Sequence, residues 1–459
     1  MDHQGPPVGR RRLLGAGLLG AGLVAGGTLS GCTPGTSGTS GGAAGSSGDA
    51  AGSRTPRFDP ADWDSVRAQF PLDPSYAQFA AYVLAAHPAP VRRAIEEHRR
   101  GLDTDTDAYL HGEDHEGAVR EAAAAYLGAE APDVALTDST TMGLGLLYGG
   151  MRLSPGQDVL TTEHDFYATH EALRLLAART GARVRRVRLY DDPATASADA
   201  IVSRLRAGLG PRTRVVAITW VHSGTGVRMP VRAIADMVAE ANRDRDAADR
   251  ALLCVDGVHG LGATADQVEA LGCDFLTAGT HKWLFGPRGT GVLWGRGKAW
   301  DALLPVIPTF SGRVDLDAGG GTGEAYRPYG PGGLLGTPGG YHSFEHRWAL
   351  GEAFAFHRAI GRERVAARIT EQATRLKAGL AALPNVRLVT PRSPELSAGL
   401  VCCAIDGLDA PSAAGRLRKD HRIITSVTPY QEVYLRFGPG IVTTPEQVDQ
   451  AVKAVASLR

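Results

Sequence analysis

The chain has 459 residues, of which 43% are hydrophobic and 21% are charged. This is the composition of a folded enzyme-sized protein with a large core, and the length favours two domains. Lys plus Arg and Asp plus Glu number 49 each, so the formal charge is zero. A nucleic-acid partner, which needs a positive surface, is therefore disfavoured, and a small-molecule partner is expected.

The first 32 residues resemble an export signal. Arg10, Arg11 and Arg12 precede an apolar, glycine-rich stretch that is too short to span a bilayer. The stretch closes on Leu-Ser-Gly-Cys at Cys32, which is similar to a bacterial lipoprotein cleavage box. We expect a twin-arginine signal over 1–32 and an extracytoplasmic protein anchored to the membrane only through lipid on Cys32. A retained N-terminal anchor helix is the alternative.

Three segments of different composition and sequence pattern follow the signal. The Gly/Ser/Thr-rich segment 33–57 predicts a flexible tether, and 58–117 predicts an N-terminal segment of the folded protein. Over 118–300, short apolar runs alternate with helical patterns, which is typical of a large, mainly parallel sheet covered by helices. The predicted strands are 134–137, 158–162, 184–189, 215–220, 252–255, 275–278 and 291–294, and the predicted helices include 121–127, 170–179, 198–207 and 231–241.

The last third predicts a loop and a smaller α/β domain. The Pro/Gly-rich segment 301–342 is too long for a simple connection, so we expect a loop at the active site or at a dimer contact. Segment 343–459 contains two long helical patterns, short strands and a final helix, which predict a small C-terminal domain.

The cysteines and histidines predict no metal site and no disulfide framework. Cys254, Cys402 and Cys403 lie in apolar runs and predict buried thiols. His111 and His115 flank two acidic residues, but no further ligand set with clear spacing accompanies them.

Lys282 is the first residue that suggests chemistry. It lies just past the predicted strand 275–278, followed by a Gly/Pro/Gly-rich turn. Burial at the end of a strand lowers a lysine pKa and leaves a neutral amine that can form a Schiff base. Taken alone, Lys282 could equally be a solvated loop residue.

Two further motifs suit a phosphorylated aromatic cofactor. Asp256 ends an apolar strand, where a carboxylate can pair with a protonated pyridine nitrogen, and His259 is placed to bond a ring hydroxyl. Thr140 and Thr141 begin a predicted helix, where hydroxyls and backbone N–H groups suit a phosphate. Each motif alone also fits an ordinary helix cap.

In this order and spacing, the three motifs resemble the class V aminotransferases, which are fold-type I enzymes that use pyridoxal phosphate. The resemblance covers the chain from about residue 79 onward. It implies an α/β fold of the fold-type I PLP-dependent transferases, with Lys282, Asp256 and His259 as catalytic residues.

The resemblance also implies further site residues. Phe166 matches the residue stacked on the cofactor ring, with Tyr167 as the alternative, and Ser223 matches a polar residue near the ring hydroxyl. Because Gly279 replaces the usual Ser or Thr, Thr280 and His281 would contact the phosphate. Thr337 lies in a Gly-Thr-Pro turn that, in the family, reaches the phosphate of the partner subunit, so the resemblance implies a homodimer. Arg436 matches the arginine that binds the substrate carboxylate.

The implied activity is the transformation of an amino acid at Cα, as an aminotransferase or nearest to the isopenicillin N epimerase-like branch. Segment 422–435 lacks the nucleophilic cysteine that cysteine desulfurases carry before the carboxylate arginine, so a desulfurase is disfavoured. A PLP-dependent C–S or Cβ lyase is the alternative reaction. An alternative of another class is a non-catalytic extracytoplasmic binding protein, although binding alone does not require Lys282.

The signal makes a prediction about localisation. Replacing Arg10, Arg11 and Arg12 by Lys should retain the protein inside the cell, because the twin-arginine route reads those arginines. Cell fractionation measures this, with Arg54→Lys as the control. Unchanged surface localisation of the triple variant would exclude the twin-arginine interpretation.

Overall fold

The strands of the protein form at its short apolar runs. A computed structural model describes residues 57–311, 313–314 and 328–458. The predicted signal with Cys32, the tether up to residue 56, and residues 312 and 315–327 of the predicted loop lie outside the described residues. The described strands are β1 Ala77–Gln78, β2 Val134–Thr137, β3 Asp158–Thr162, β4 Arg183–Val187, β5 Thr213–Thr219, β6 Leu252–Asp256, β7 Phe275–Gly279, β8 Gly291–Gly295, β9 Arg313–Val314, β10 Pro328–Tyr329, β11 Val386–Leu388, β12 Val401–Ile405, β13 Ile423–Ile424, β14 Ser426–Val427 and β15 Leu435–Phe437.

Helices connect and cover these strands. The described α-helices are α1 Trp63–Ala68, α2 Ala89–Thr104, α3 Thr106–Gly112, α4 His115–Leu127, α5 Thr140–Gly150, α6 Tyr167–Thr180, α7 Ala198–Gly208, α8 Val231–Ala241, α9 Val268–Leu271, α10 Gly332–Gly336, α11 Phe344–Trp348, α12 Leu350–Ile360, α13 Arg362–Ala381, α14 Ala410–His421 and α15 Pro445–Ala456. Local signals set many of their ends. The Ser139 side chain caps the start of α5, and Gly181 ends α6 in the left-handed region that glycine tolerates.

A seven-stranded sheet forms the larger part of the fold, in the order β2-β8-β7-β6-β5-β3-β4. Its pairings are parallel except those of β8, which is antiparallel to both of its neighbours. Every residue of β6 and β7 is buried, as expected for central strands covered on both faces. The carboxyl ends of β5, β6 and β7 consequently lie side by side at one edge.

A four-stranded antiparallel sheet, ordered β11-β12-β15-β14, lies in the C-terminal part of the chain. It shares an apolar cluster with α13, α14 and α15, including Leu376, Leu417 and Val455. Cys403 belongs to this cluster, and the four cysteines of the described residues are free and buried, which confirms the predicted thiols.

The N-terminal segment joins the two sheets. β1 pairs in parallel with β13, and the N–H of Gly438 donates to the carbonyl of Phe79 at 2.8 Å. A Cβ atom on Gly438 would lie 2.0 Å from the Tyr82 ring, so only glycine allows this approach. The segment therefore places Tyr82 beside β15.

The predicted fold class is confirmed: a large, mostly parallel sheet with helices is accompanied by a small antiparallel C-terminal sheet. Arg54–Arg459 form one compact unit, and the predicted boundaries between a large and a small domain stay predictions. Within the described residues, no helix is long and apolar enough to cross a membrane.

Candidate functional site

A cavity of about 280 Å³ lies where β5, β6 and β7 end, facing the start of α5. This is the edge at which open α/β sheets bind ligands. All of the predicted site residues except Thr280 and Thr337 line it. The lining residues are Tyr82, Val83, Ser139, Thr140, Thr141, Leu144, Phe166, Ala168, Thr219, Ser223, Asp256, Val258, His259, His281, Lys282, Pro429 and Arg436.

Asp256 is buried, Lys282 is half-buried, and the charge of each side chain affects the pKa of the other. Strands β6 and β7 pair in parallel with Asp256 opposite Thr277, and Lys282 follows the end of β7. Burial lowers the pKa of Lys282 to about 8, and the nearby charge of Asp256 opposes this shift. Burial raises the pKa of Asp256 to about 6, against the Val258 N–H and the charge of Lys282. Burial therefore brings the pKa values of both groups toward neutral pH, and the attraction between their charges limits the shift of each.

A tight turn presents Lys282 to the cavity. The N–H groups of Phe285 and Gly286 donate to the carbonyls of Lys282 and Thr280, at 3.1 and 2.9 Å. Phe285 is buried with a φ of 58°, a left-handed conformation that costs a non-glycine residue about 1–3 kcal/mol. The carbonyl of His281 accepts from the N–H of Ala85 at 2.9 Å, so the N-terminal segment also supports the turn.

The start of α5 and His281 form the polar end of the cavity. Ser139 Oγ accepts from the N–H of Met142 at 3.1 Å, which leaves the amides of Thr140 and Thr141 as donors at the helix start. Thr140 Oγ1 accepts from the N–H of Gly279 at 2.7 Å. A Cβ on Gly279 would lie 3.2 Å from this hydroxyl, so the missing side chain leaves room for Thr140.

The structure does not bring the Thr280 and Thr337 side chains into the cavity. Both residues are fully buried. The Thr280 hydroxyl bonds Thr290 Oγ1 at 2.6 Å, so its predicted phosphate contact is not supported. The Thr337 hydroxyl accepts from the N–H of Leu136 at 3.1 Å and donates to the carbonyl of Gly333 at 2.8 Å. The predicted contact of Thr337 with a partner subunit stays a prediction, which a single chain does not test.

Phe166 and Ser223 lie in the cavity wall beside Tyr430, a residue that the sequence did not single out. The Ser223 and Tyr430 hydroxyls are 2.8 Å apart, and the Phe166 and Tyr430 rings are 5.8 Å apart in an edge-to-face arrangement. Tyr167, the alternative to Phe166, is exposed and does not line the cavity. Phe166 is therefore the better candidate for a ring contact.

Arg436 lies in the cavity wall and is held there by three separate parts of the chain. Its Nε donates to Ser426 Oγ at 3.1 Å, and its Nη1 donates to the carbonyl of Ser223 at 2.9 Å. The Tyr82 ring lies 5.0 Å from its Cζ in a cation–π contact. Because a guanidinium has five N–H donors, both Nη groups retain donors for a carboxylate.

Sequence reasoning missed three aromatic residues: Tyr82, Trp283 and Tyr430. The Tyr82 hydroxyl bonds Ser426 Oγ at 2.5 Å and donates to the carbonyl of Arg436 at 3.2 Å. Trp283 Nε1 donates to His259 Nδ1 at 3.2 Å. Trp283 could have been identified from the sequence, because it directly follows Lys282. Tyr82 and Tyr430 carry no such signal, because they lie in segments distant in sequence from Lys282.

Comparisons with known proteins found a matching family model and similar proteins. The family model described as Aminotransferase class-V matches residues 111–427. Isopenicillin N epimerase of Streptomyces clavuligerus is 27% identical over 415 residues, which cover 87% of this chain and 98% of that protein. A cysteine desulfurase of Pectobacterium carotovorum is 27% identical over 426 residues, which cover 85% of this chain and 96% of that protein.

The fold also matches a solved structure. A mutant of C-DES with glycine covalently linked to its PLP cofactor superimposes with a TM-score of 0.76 at 21% identity. The match covers 85% of this chain and 99% of that chain, and at this identity it shows the shared fold.

The electrostatics of the pair make a prediction. In the cofactor-free chain, acetylation of Lys282 by acetic anhydride should be half-maximal near pH 8, because burial lowers its pKa to about 8. Asp256→Asn should move this midpoint to lower pH, because it removes the charge that favours the ammonium. Mass spectrometry of the Lys282 peptide over a pH series measures the midpoint. Asp266→Asn serves as the control, because this carboxylate is in an ion pair with Arg228 and is not among the charges that shift the pKa of Lys282. A midpoint near about 10.4, the value of an ordinary lysine, would contradict the desolvated site.

Proposed function

Since the chain belongs to the aminotransferase class-V family, we propose that it transforms an amino acid at Cα, in a reaction nearest to that of the isopenicillin N epimerases. Pyridoxal phosphate is its cofactor. The observation that carries the proposal is the convergence of Lys282, Asp256 and Arg436 on one cavity. That cavity has no cysteine among its described lining residues, which supports a reaction other than desulfuration.

The residues of the cavity fit this cofactor. Asp256 would hold the ring nitrogen, Phe166 would lie against the ring, and the start of α5 with His281 would hold the phosphate. When bound, pyridoxal phosphate supplies an electrophilic carbon for an amine and an electron sink for the bond broken at Cα. The carboxylate of Asp256 beside the ring nitrogen would favour the protonated form of that nitrogen.

Arg436 and Lys282 have the two remaining roles, which are substrate binding and proton transfer. Arg436 holds the substrate carboxylate through its Nη groups, and its bonds to Ser223 and Ser426 fix the direction of the guanidinium. A fixed carboxylate orients the Cα–H bond toward Lys282, and this ordering lowers the barrier to proton transfer. The Lys282 amine, with a pKa of about 8, then removes the proton and holds it on Nζ.

Hydrogen exchange at Cα tests the proposal. Amino acids incubated with the cofactor-loaded protein in heavy water should exchange the Cα hydrogen, and NMR, chiral chromatography and keto-acid assays should be run together. Exchange with inversion supports epimerisation, keto-acid release from an unmodified side chain supports transamination, and release with loss of a Cβ substituent supports a lyase. If no amino acid exchanges its Cα hydrogen, the proposed substrate class is wrong.

Substitution of Arg436 tests its role in the same assay. Losing one partner of a buried charge pair costs about 2–5 kcal/mol, so Arg436→Ala should lower kcat/KM for exchange by about 30-fold or more. Arg418→Ala, at an exposed arginine of α14, should leave exchange unchanged. Full exchange by Arg436→Ala would contradict the carboxylate role.

We also propose that the chain forms a homodimer through the region of the predicted loop 301–342. Apolar side chains are exposed there on Leu304, Val306, Phe310 and Tyr341, the last two by 74% and 85%. A second copy that covers these side chains would remove a large apolar surface from water.

Sedimentation tests the dimer. The mature chain should sediment at twice its mass, and Val306→Glu with Phe310→Glu should give monomers, because two charges would be buried in the contact. Leu175→Glu, at an exposed position of α6, is the control. A wild-type monomer that binds the cofactor tightly would contradict the proposal.

A further inference from the structure

Trp283 makes a hydrogen bond that determines where His259 carries its proton. The indole N–H donates to His259 Nδ1 at 3.2 Å, and both residues are 3% exposed. An indole nitrogen only donates, so Nδ1 must accept with its lone pair. The single proton of a neutral His259 ring is therefore on Nε2, at the other side of the ring.

The surroundings keep His259 neutral. Burial lowers its pKa well below the usual value, and the positive charges of Lys282 and Arg436 lower it further. A second proton would have to enter on Nδ1, where it would face the indole N–H. His259 also lines the cavity, so its Nε2–H is a neutral donor available there.

Close packing holds Trp283 in this orientation. Its ring stacks on Tyr82 with centroids 5.6 Å apart and an interplanar angle of 17°. A Cβ on Gly399 would lie 2.3 Å from the far edge of the indole, and one on Gly262 would lie 2.8 Å from the Trp283 backbone. The indole therefore cannot turn away without displacing the backbone around it.

We propose that Trp283 is a positioning residue that fixes the tautomer of His259, so that Nε2–H points into the cavity as a donor to the ring oxygen of the cofactor. The other tautomer would present a lone pair to that oxygen and repel it. The proposal rests on the cofactor assignment and on the place of His259 beside the ring, and it is independent of which amino-acid reaction follows.

Cofactor affinity measures this effect without an activity assay. The full mature chain, freed of cofactor, should be titrated with pyridoxal phosphate and with its 3-O-methyl analogue, whose ring oxygen cannot become an anion. Trp283→Phe should bind pyridoxal phosphate several-fold more weakly than wild type, because His259 would then divide between two tautomers and only one of them donates to the ring oxygen. The affinity of Trp283→Phe for the analogue should stay within about two-fold of the wild-type affinity for the analogue. The analogue cannot form the charge-assisted hydrogen bond with His259 in either protein.

Trp294→Phe is the matched control. Trp294 is also 3% exposed, and its indole N–H has no hydrogen-bond partner within the described residues. Trp294→Phe removes the same atoms without removing a hydrogen bond. The affinities of this variant for pyridoxal phosphate and for the 3-O-methyl analogue should therefore match those of wild type. Equal affinities of Trp283→Phe and Trp294→Phe for pyridoxal phosphate would overturn the proposal.

Substitutions of His259 alone test the same proposal if Trp283→Phe does not fold, and the double variant applies where Trp283→Phe does fold. A glutamine amide nitrogen lies where Nε2 is, and an asparagine amide nitrogen lies where Nδ1 is. His259→Gln should keep the wild-type affinity within about three-fold, while His259→Asn should lose about ten-fold or more. In the His259→Gln background, adding Trp283→Phe should cause no further loss, because no tautomer remains to be fixed. A full additional loss would show that Trp283 acts only by packing. A wild-type chain that does not bind pyridoxal phosphate would overturn the proposed function together with this inference.

Discussion

The site depends on the removal of Lys282 from water beside a carboxylate. Burial alone would push the lysine pKa far down and the aspartate pKa far up, and the attraction between Lys282 and Asp256 limits both shifts. Lys377 has a similarly lowered pKa but different surroundings, since burial also brings its pKa to about 8. Lys377 Nζ donates to the carbonyls of Pro391 and Arg392 and to Ser397 Oγ, so it secures a loop. A low pKa makes a lysine reactive only where the amine faces a cavity.

Parts of the chain that are far apart in sequence must meet around this pair. The large sheet supplies Lys282 and Asp256, β15 supplies Arg436, and the N-terminal segment supplies Tyr82. Tyr82 touches all of these parts, since it lies under Arg436, stacks on Trp283 and bonds Ser426. The same aromatic side chain therefore contacts both Arg436, which we propose binds the substrate carboxylate, and Trp283 beside Lys282.

Much of the fold was predictable because its signals are local. Apolar runs between turn residues marked β2 and β3 at their observed bounds, and helical periodicity marked α8. The short strands β1, β13 and β14 were missed, because two residues carry no periodicity, and β1 and β13 also pair across most of the chain. The same limit applies in the site. Lys282 and Asp256 were found from strand ends, whereas the tautomer contact of Trp283 requires the folded geometry. Thr280 was predicted to face the phosphate, but its hydroxyl is bonded to Thr290 within the turn.

We expect Lys282 to be the amine that carries the cofactor in this desolvated cavity. Borohydride reduction of the cofactor-loaded full chain, followed by peptide mass spectrometry, tests it most directly. The account predicts a phosphopyridoxyl group on Lys282 and an unmodified Lys377 peptide, despite the similar pKa of about 8 for the two amines. A phosphopyridoxyl group on Lys377 or any other lysine, with Lys282 unmodified, would contradict it.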